Sequence, residues 1–501
     1  MTVYRYVAEI TVVTDGAGTT ATSYFGTSGF ATKPTDTPAD TYVAARLKSA
    51  GSLRRELFSG NRVFGAVRPA YGELVLINAD GGLDTWINYG ISGGKVTVRY
   101  GPEDGAYPAD YATVYIAYAK SLHADFSEVR IKLRDRLYLM ERPMVTATFD
   151  GSGGVEGSSA LVGTLKQWVS SDPGFIPPIS LSPSSLIYYV QSTSPGSLAA
   201  SFACYEGGVT ITRGADYTTQ ADLIATSPSA GQCRFFFGPS GVGPVYVRLG
   251  SVPIFDVRVY ALGHHTSGTA WTVASVASLA GITGGSGTVA IGALLVDDSR
   301  TYLDVCEESC LSGLAWFGMT AQDTLVTGQF SAPGVTAEYT LTQHNARDWQ
   351  RIAVADMEAP VYSVTLRSGR TWPSNLASSV TGTMQDYLTR DPWWATNSSE
   401  QTATLTANPG ALAEVIETEV RAIANSTQWT SFASAYFTLF GTRREFYTCE
   451  VPLTDDTLAL ELHDTVEILM PRFGLDAGKK FRVITQHIQC DRRMIGLGLW
   501  G

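Results

Sequence analysis

Cys306 and Cys310 stand four residues apart, a spacing that would place two thiolates on one helical face where they could bind a soft metal. Two more ligands would have to come from elsewhere, and the apolar neighbours Leu303 and Leu314 on that face favour a pair of buried thiols. The other four cysteines, Cys204, Cys233, Cys449 and Cys490, are too scattered for a disulfide scaffold. Cys204 and Cys233 share one segment and could pair, but a reducing compartment predicts free thiols. Among the histidines, His123, His344, His463 and His487 are isolated, and the adjacent His264 and His265 would point to opposite faces of a strand. Asn78, Asp80 and Asp84 alternate like the start of a calcium loop, yet that loop's later glycine and glutamate are missing, which predicts a hydrogen-bonded turn. Gly90-Ile-Ser92-Gly-Gly94 spells a nucleophile elbow, but the pattern Lys95 to Tyr100 leaves it as a strand where the chemistry needs a helix. There is no phosphate loop, no His-Glu-x-x-His and no dinucleotide fingerprint. The expectation is a protein that is no enzyme and has no cofactor and no metal.

Composition bounds the scaffold around these residues. A chain of 501 residues predicts about three domains. Only 17% of residues are charged, against roughly 25% in ordinary soluble domains, so much of the surface is expected to be covered by something other than charge. The 50 glycines and 22 prolines indicate a folded, loop-rich chain. The formal charge of -11, with no run of Lys or Arg, argues against a nucleic-acid groove or an anionic membrane surface. No stretch has the length and hydropathy of a membrane-spanning helix, and the opening residues alternate as a strand, so the chain is expected to fold in a cytoplasm.

Periodicity divides the chain into four segments. Residues 1–150 form short alternating runs at sandwich or barrel spacing, ending in the Gly/Ser-rich stretch Asp150 to Ser159. Residues 160–262 read as a small β-module, either a peripheral binding unit or a spacer. Residues 263–345 read as a small α/β domain whose helix starts at an N-cap Ser299 and runs from Arg300 to Phe317. Residues 346–501 combine helices at 411–424 and 426–440 with a second barrel-like region. The fold class is thus mainly β with α+β parts. The aromatic residues Trp429, Phe432, Tyr436, Phe437 and Phe440 on the last helix suit a core, and they are also the candidate subunit interface. One internal echo links the ends: residues 95–133 and 466–499 both read strand, glycine, loop, strand, aspartate, strand.

Particular stretches carry a resemblance. Gly72 to Asp84, Lys95 to Gly101, Phe149 to Gly163, Ala203 to Pro253, Leu303 to Pro333 and Glu467 to Val483 with Leu497 to Trp500 resemble the baseplate or tail-tip hub proteins of long-tailed, siphovirus-like bacteriophages and prophages. The match lies in turn glycines and strand patterns, so it speaks to assembly and not to chemistry. It implies two barrel-like domains per chain, so that a homotrimer offers six similar units to a six-fold tail tube. It also implies a hub ring that closes the tube and forms part of the channel for genome ejection. The implied partners are the tail tube or distal tail protein, the tape-measure protein, a central fibre or spike, and passing DNA without sequence recognition. The implied location is the virion tail tip, after assembly in the host cytoplasm. Two other readings stand beside it: a hexameric distal tail ring, which one barrel per chain would satisfy, and a cell-surface carbohydrate-binding or hydrolytic tail protein.

Overall fold

A computed structural model describes residues 3–58, 68–193, 196–239, 243–263, 270–352, 360–370, 393–400, 415–420, 423 and 426–501. Its largest element is a 13-stranded sheet. Seven strands come from the start of the chain: β1 (Tyr4–Val13), β2 (Thr20–Gly26), β3 (Leu47–Glu56), β4 (Arg68–Ile77), β5 (Lys95–Pro102), β6 (Ala112–Ala124) and β7 (Glu128–Arg134). Six come from its end: β8 (Tyr339–Thr342), β9 (Arg347–Arg351), β10 (Phe446–Pro452), β11 (Thr465–Leu469), β12 (Lys479–Gln489) and β13 (Met494–Trp500). The order is β2-β1-β5-β6-β7-β4-β3-β12-β13-β10-β9, with β11 also on β12 and β8 parallel to β11. Alternation decides which side faces inward. In β7, Val129, Ile131 and Leu133 are buried while Arg130 and Lys132 are exposed. These inward residues join one continuous core that includes Ile10, Val98 and Leu133 from the first segment and Leu497 and Trp500 from the last. The fold is mainly β with helical parts, as the periodicity implies.

The two ends of the chain repeat one unit. β3-β4-β7-β6-β5 and β9-β10-β13-β12-β11 have the same neighbour order and the same sequence of connections. Backbone details agree as well. Ala119 N–H donates to Gly94 O and its carbonyl accepts from Gly93 N–H, both at 2.8 Å. Val483 makes the same two bonds with Asp464 at 2.9 Å and His463 at 2.7 Å. Gly93 and His463 share a left-handed backbone, φ 82° and 77°. A register shift follows each time, at Ala119/Ser121 and at Val483/Thr485. The echo between the chain ends is therefore a register, with Ala119 on Val483 and Leu133 on Leu499. The units are joined edge to edge where β3 adds antiparallel to β12, from Ser52 opposite Gln489 to Glu56 opposite Thr485.

Between the units in sequence lies a nine-stranded sheet whose edges are the strands Ile179–Ser182 and Leu294–Val296, the latter paired with Trp168–Ile176. Its core holds Cys204, Cys233, Phe235 and Val247. Helix α1 (Tyr302–Gly313) differs from the expected span at both ends. It starts at Thr301 and not at Ser299, because Thr301 and Asp304 form a reciprocal capping box: Thr301 Oγ1 accepts from Asp304 N–H at 3.1 Å and the Asp304 carboxylate accepts from Thr301 N–H at 2.8 Å. It stops at Leu314, which adopts φ 49°, and Phe317 belongs instead to the strand Ala315–Met319, paired with Leu325–Gln329. Of the helix expected over 411–424, the described residues Val415–Val420 form a strand instead, parallel to Ser363–Arg370, and most of the rest of that span lies outside the described residues. Val415, Ile416, Thr418 and Val420 are β-branched, and that local preference prevails over the helical spacing. Helix α2 (Ser426–Phe440) has the expected bounds.

Candidate functional site: the joint between the two units

At the joint, Arg55 occupies an inward position of β3 between Leu53 and Leu57, and all three are buried. Its guanidinium donates to Glu461 Oε2 at 2.5 Å and to the carbonyl of Met319 at 3.2 Å, and also to Gln486 Oε1. The partners are held in turn. Glu461 Oε1 accepts from Ala321 N–H at 3.2 Å, and Gln486 Nε2 donates to Leu460 O at 2.9 Å. One side chain thus ties the first unit to the second unit and to the strand Ala315–Met319. A charged group at a core-facing strand position is the sequence signal that would have found it.

Beside this node lies a cavity of about 200 Å³ lined by Trp316, Thr320, Glu461, His463 and Asp464 among others. Its titratable groups are arranged for cohesion. Burial and the neighbouring Arg482 push His463 down to about 4, so the ring is neutral and its Nε2 accepts from Ser331 N–H at 3.3 Å. The indole of Trp316 lies 5.0 Å from that ring. Burial raises Asp464, which accepts from Glu461 N–H at 2.7 Å. The hydroxyl of Thr320 accepts from Thr324 N–H at 3.0 Å. The carboxylates and the ring bond to backbone groups, and the arrangement supports the fold.

Asp135 gives this region a pH dependence. Its carboxyl is buried, accepting from Ala70 N–H at 2.8 Å and Leu137 N–H at 3.1 Å, and burial pushes it up to about 7. The folded chain therefore holds this proton more tightly than the unfolded chain, whose aspartates titrate near 4. The contribution is complete below pH 4 and is lost as pH rises to 7. Urea unfolding at pH 5.5 and 8.5 is expected to read a loss of about 2 kcal/mol from this group, absent in Asp135→Asn.

The residues with chemical spacing are occupied otherwise. Asn78 Oδ1 accepts from Leu83 N–H at 2.7 Å, Asn78 Nδ2 donates to Asp84 at 2.9 Å, and Asp80 is bound by both amino groups of Arg46 at 2.7 and 2.6 Å. This is the turn that the spacing implies. Ser92 accepts from Arg134 at 3.2 Å and is followed by β5. Cys306 and Cys310 are buried and burial raises both thiols. The structure brings Cys204 and Cys233 together, and the hydrogen bond with the Cys233 thiol, followed by burial, raises Cys204. All six cysteines are buried. Native protein is accordingly expected to take up less than one equivalent of a maleimide in an hour, and six once unfolded, by mass spectrometry. His264 and His265 lie outside the described residues. Among the described residues no group of three or more His, Cys, Asp or Glu could hold a metal ion. No described helix is long and apolar enough to cross a membrane. On α2, Phe432, Phe437 and Phe440 are buried in the main core, while Trp429 and Tyr436 are half-buried against it.

No protein-family model matches the sequence, and no curated protein matches it. Solved structures similar to this chain include a tail protein from Neisseria meningitidis MC58, at 10% identity and TM-score 0.42, covering 99% of this chain and 96% of that one. The prophage MuSo2 43 kDa tail protein from Shewanella oneidensis is similar at 10% identity and TM-score 0.37, over 99% and 98% of the two chains. The prophage tail protein gp18 from Listeria monocytogenes EGD-e is similar at 8% identity and TM-score 0.39, over 98% and 94%.

Proposed function

We propose that this chain is a structural subunit of a bacteriophage or prophage tail, and within the tail a hub ring at the tip. The observation that supports this most directly is the repeated unit. One chain carries two copies of a five-strand module, already joined side by side by their strand edges. A chain built in this way can act as a third of a ring with six similar positions, which is the arrangement that the tail-tip resemblance implies. The repeat favours three copies over the six that a distal ring with one unit per chain would need. In this reading the ring encloses part of the ejection channel, contacts the tail tube and tape-measure protein on one side and a fibre or spike on the other, and sits in the virion. The half-buried faces of Trp429 and Tyr436 are available for subunit contacts, while their buried neighbours serve the core. The low charge fits a surface largely covered by neighbours.

Mass photometry of purified chain, or cryo-electron microscopy of particles, tests the reading. A species at three times the 53.7 kDa chain mass, with a central opening, is the expected result. A chain that stays monomeric in solution and has no density at the tail tip would overturn it.

A further inference from the structure

The repeat leaves one strand-edge joint made and its counterpart open, and we propose that a second copy of this chain closes the open one. In this joint β9 of one copy adds to the outer edge of β6 in the next, with Gln350, Arg351 and Ile352 antiparallel to Asp125, Ala124 and His123. The ring that results rests on the hub reading, whereas the choice of edges and their register rest on the repeat alone.

The register follows from pairings within the chain. Leu133 lies opposite Gly72, and Leu499 opposite Tyr447, which sets Gly72 on Tyr447. Leu53 lies opposite Gly72 and Arg351 opposite Tyr447, which sets Leu53 on Arg351 and Ser52 on Gln350. Both strands break register at the same place, Ser49/Ser52 in β3 and Arg347/Gln350 in β9. In the closed joint Ser52, Leu53 and Arg54 face Gln489, Ile488 and His487. With Ala119 on Val483, these three positions of β12 correspond to Asp125, Ala124 and His123.

Both edges are positioned for the contact. β5 leaves β6 at Tyr118 and Ala119, so from Lys120 to Ala124 β6 pairs only with β7 among the described residues. Among the described residues β9 is the last strand of the sheet order. A separate observation points the same way. Cys490, two residues beyond Ile488, is 0% exposed in the closed joint and its N–H donates to Gly51 O at 3.0 Å. Phe126, two residues beyond Ala124, is 101% exposed. A bare phenylalanine thus stands where the closed joint has a buried residue. Long unprotected strand edges invite another chain, and a head-to-tail contact of this kind closes into a ring when the rotation between units permits.

The test is cross-linking by introduced cysteines, for which the buried natural thiols give a quiet background. Opposed residues of an antiparallel pair lie within disulfide reach. Full-length His123→Cys chain mixed with full-length Ile352→Cys chain and mildly oxidised is expected to give a covalent dimer, and the double variant a ladder ending in a closed ring. Gln343→Cys in place of Ile352→Cys is the out-of-register control. Phe126→Glu, at a position outside the core, is expected to weaken self-association at least tenfold at unchanged melting temperature. A native ring that gives no cross-link above the control and survives Phe126→Glu would overturn the joint while leaving the hub reading intact. A native chain that remains monomeric and uncross-linked at all concentrations would overturn both.

Discussion

Replacing Arg55 by methionine is expected to destabilise the chain by about 2–4 kcal/mol, below the full range for a buried ion pair because the Glu461 carboxylate reaches solvent in part. The loss has little to do with volume, because methionine fills much of the same space. It comes from what is left behind: Glu461 loses the guanidinium that it accepts from, and Gln486 and the Met319 carbonyl each lose a donor. The two units are held at this point, so the effect should appear as cooperative loss of the β3 and β12 edge together. Hydrogen exchange of Ser52 to Glu56 and Thr485 to Gln489 would report it alongside urea unfolding. Removing the charge as well, in Arg55→Met with Glu461→Met, should recover at least 1 kcal/mol relative to the sum of the single changes, since the residues are in direct contact. Simple additivity would show that the pair is not coupled.

Trp500→Ala is expected to cost about 3–5 kcal/mol, as large aromatic truncations in cores do. The side chain is 1% exposed, and its ring lies 5.1 Å from Phe330 and 5.9 Å from Phe440. The guanidinium of Arg444 stands 5.0 Å over it. Trp500 therefore binds three elements at once: the sheet through β13, helix α2 through Phe440, and the segment after Leu325–Gln329 through Phe330. Among the described residues the indole Nε1 has no hydrogen-bond partner, so Trp500→Phe gives up packing area more than hydrogen bonding and should cost roughly 1–2 kcal/mol. Thermal unfolding followed by tryptophan-independent circular dichroism separates the two variants. Equal losses would mean that the indole itself, and not the packed ring, is what the site requires.

The β-class and the repeat were legible because strands such as β7 and β10 announce their inward face by simple alternation. The span of α2 was legible for the same reason, through its aromatic residues at helical spacing. The helical expectation fails at Val415–Val420 because a short run with Glu417 and Glu419 fits both periods, and its β-branched residues, which favour the strand paired with Ser363–Arg370, carry more weight than the spacing. The end of α1 was lost because a left-handed Leu314 has no side-chain signature. The node at Arg55 was missed for a different reason: its partners come from distant segments, and no local motif brings arginine, glutamate and glutamine together.

The joint has a consequence for how the chain comes into being. Arg55 and Gln486 are 431 residues apart in sequence. At a synthesis rate of about 5–20 residues per second, β3 spends tens of seconds as an open edge before its partner strand emerges from the ribosome. During that time the first unit lacks its neighbour, and any chain interrupted before Lys479 lacks it permanently. Only a finished chain can cover this edge from within. A fragment that ends short of Gln489 keeps this edge exposed, and with it a site for unwanted pairing and degradation.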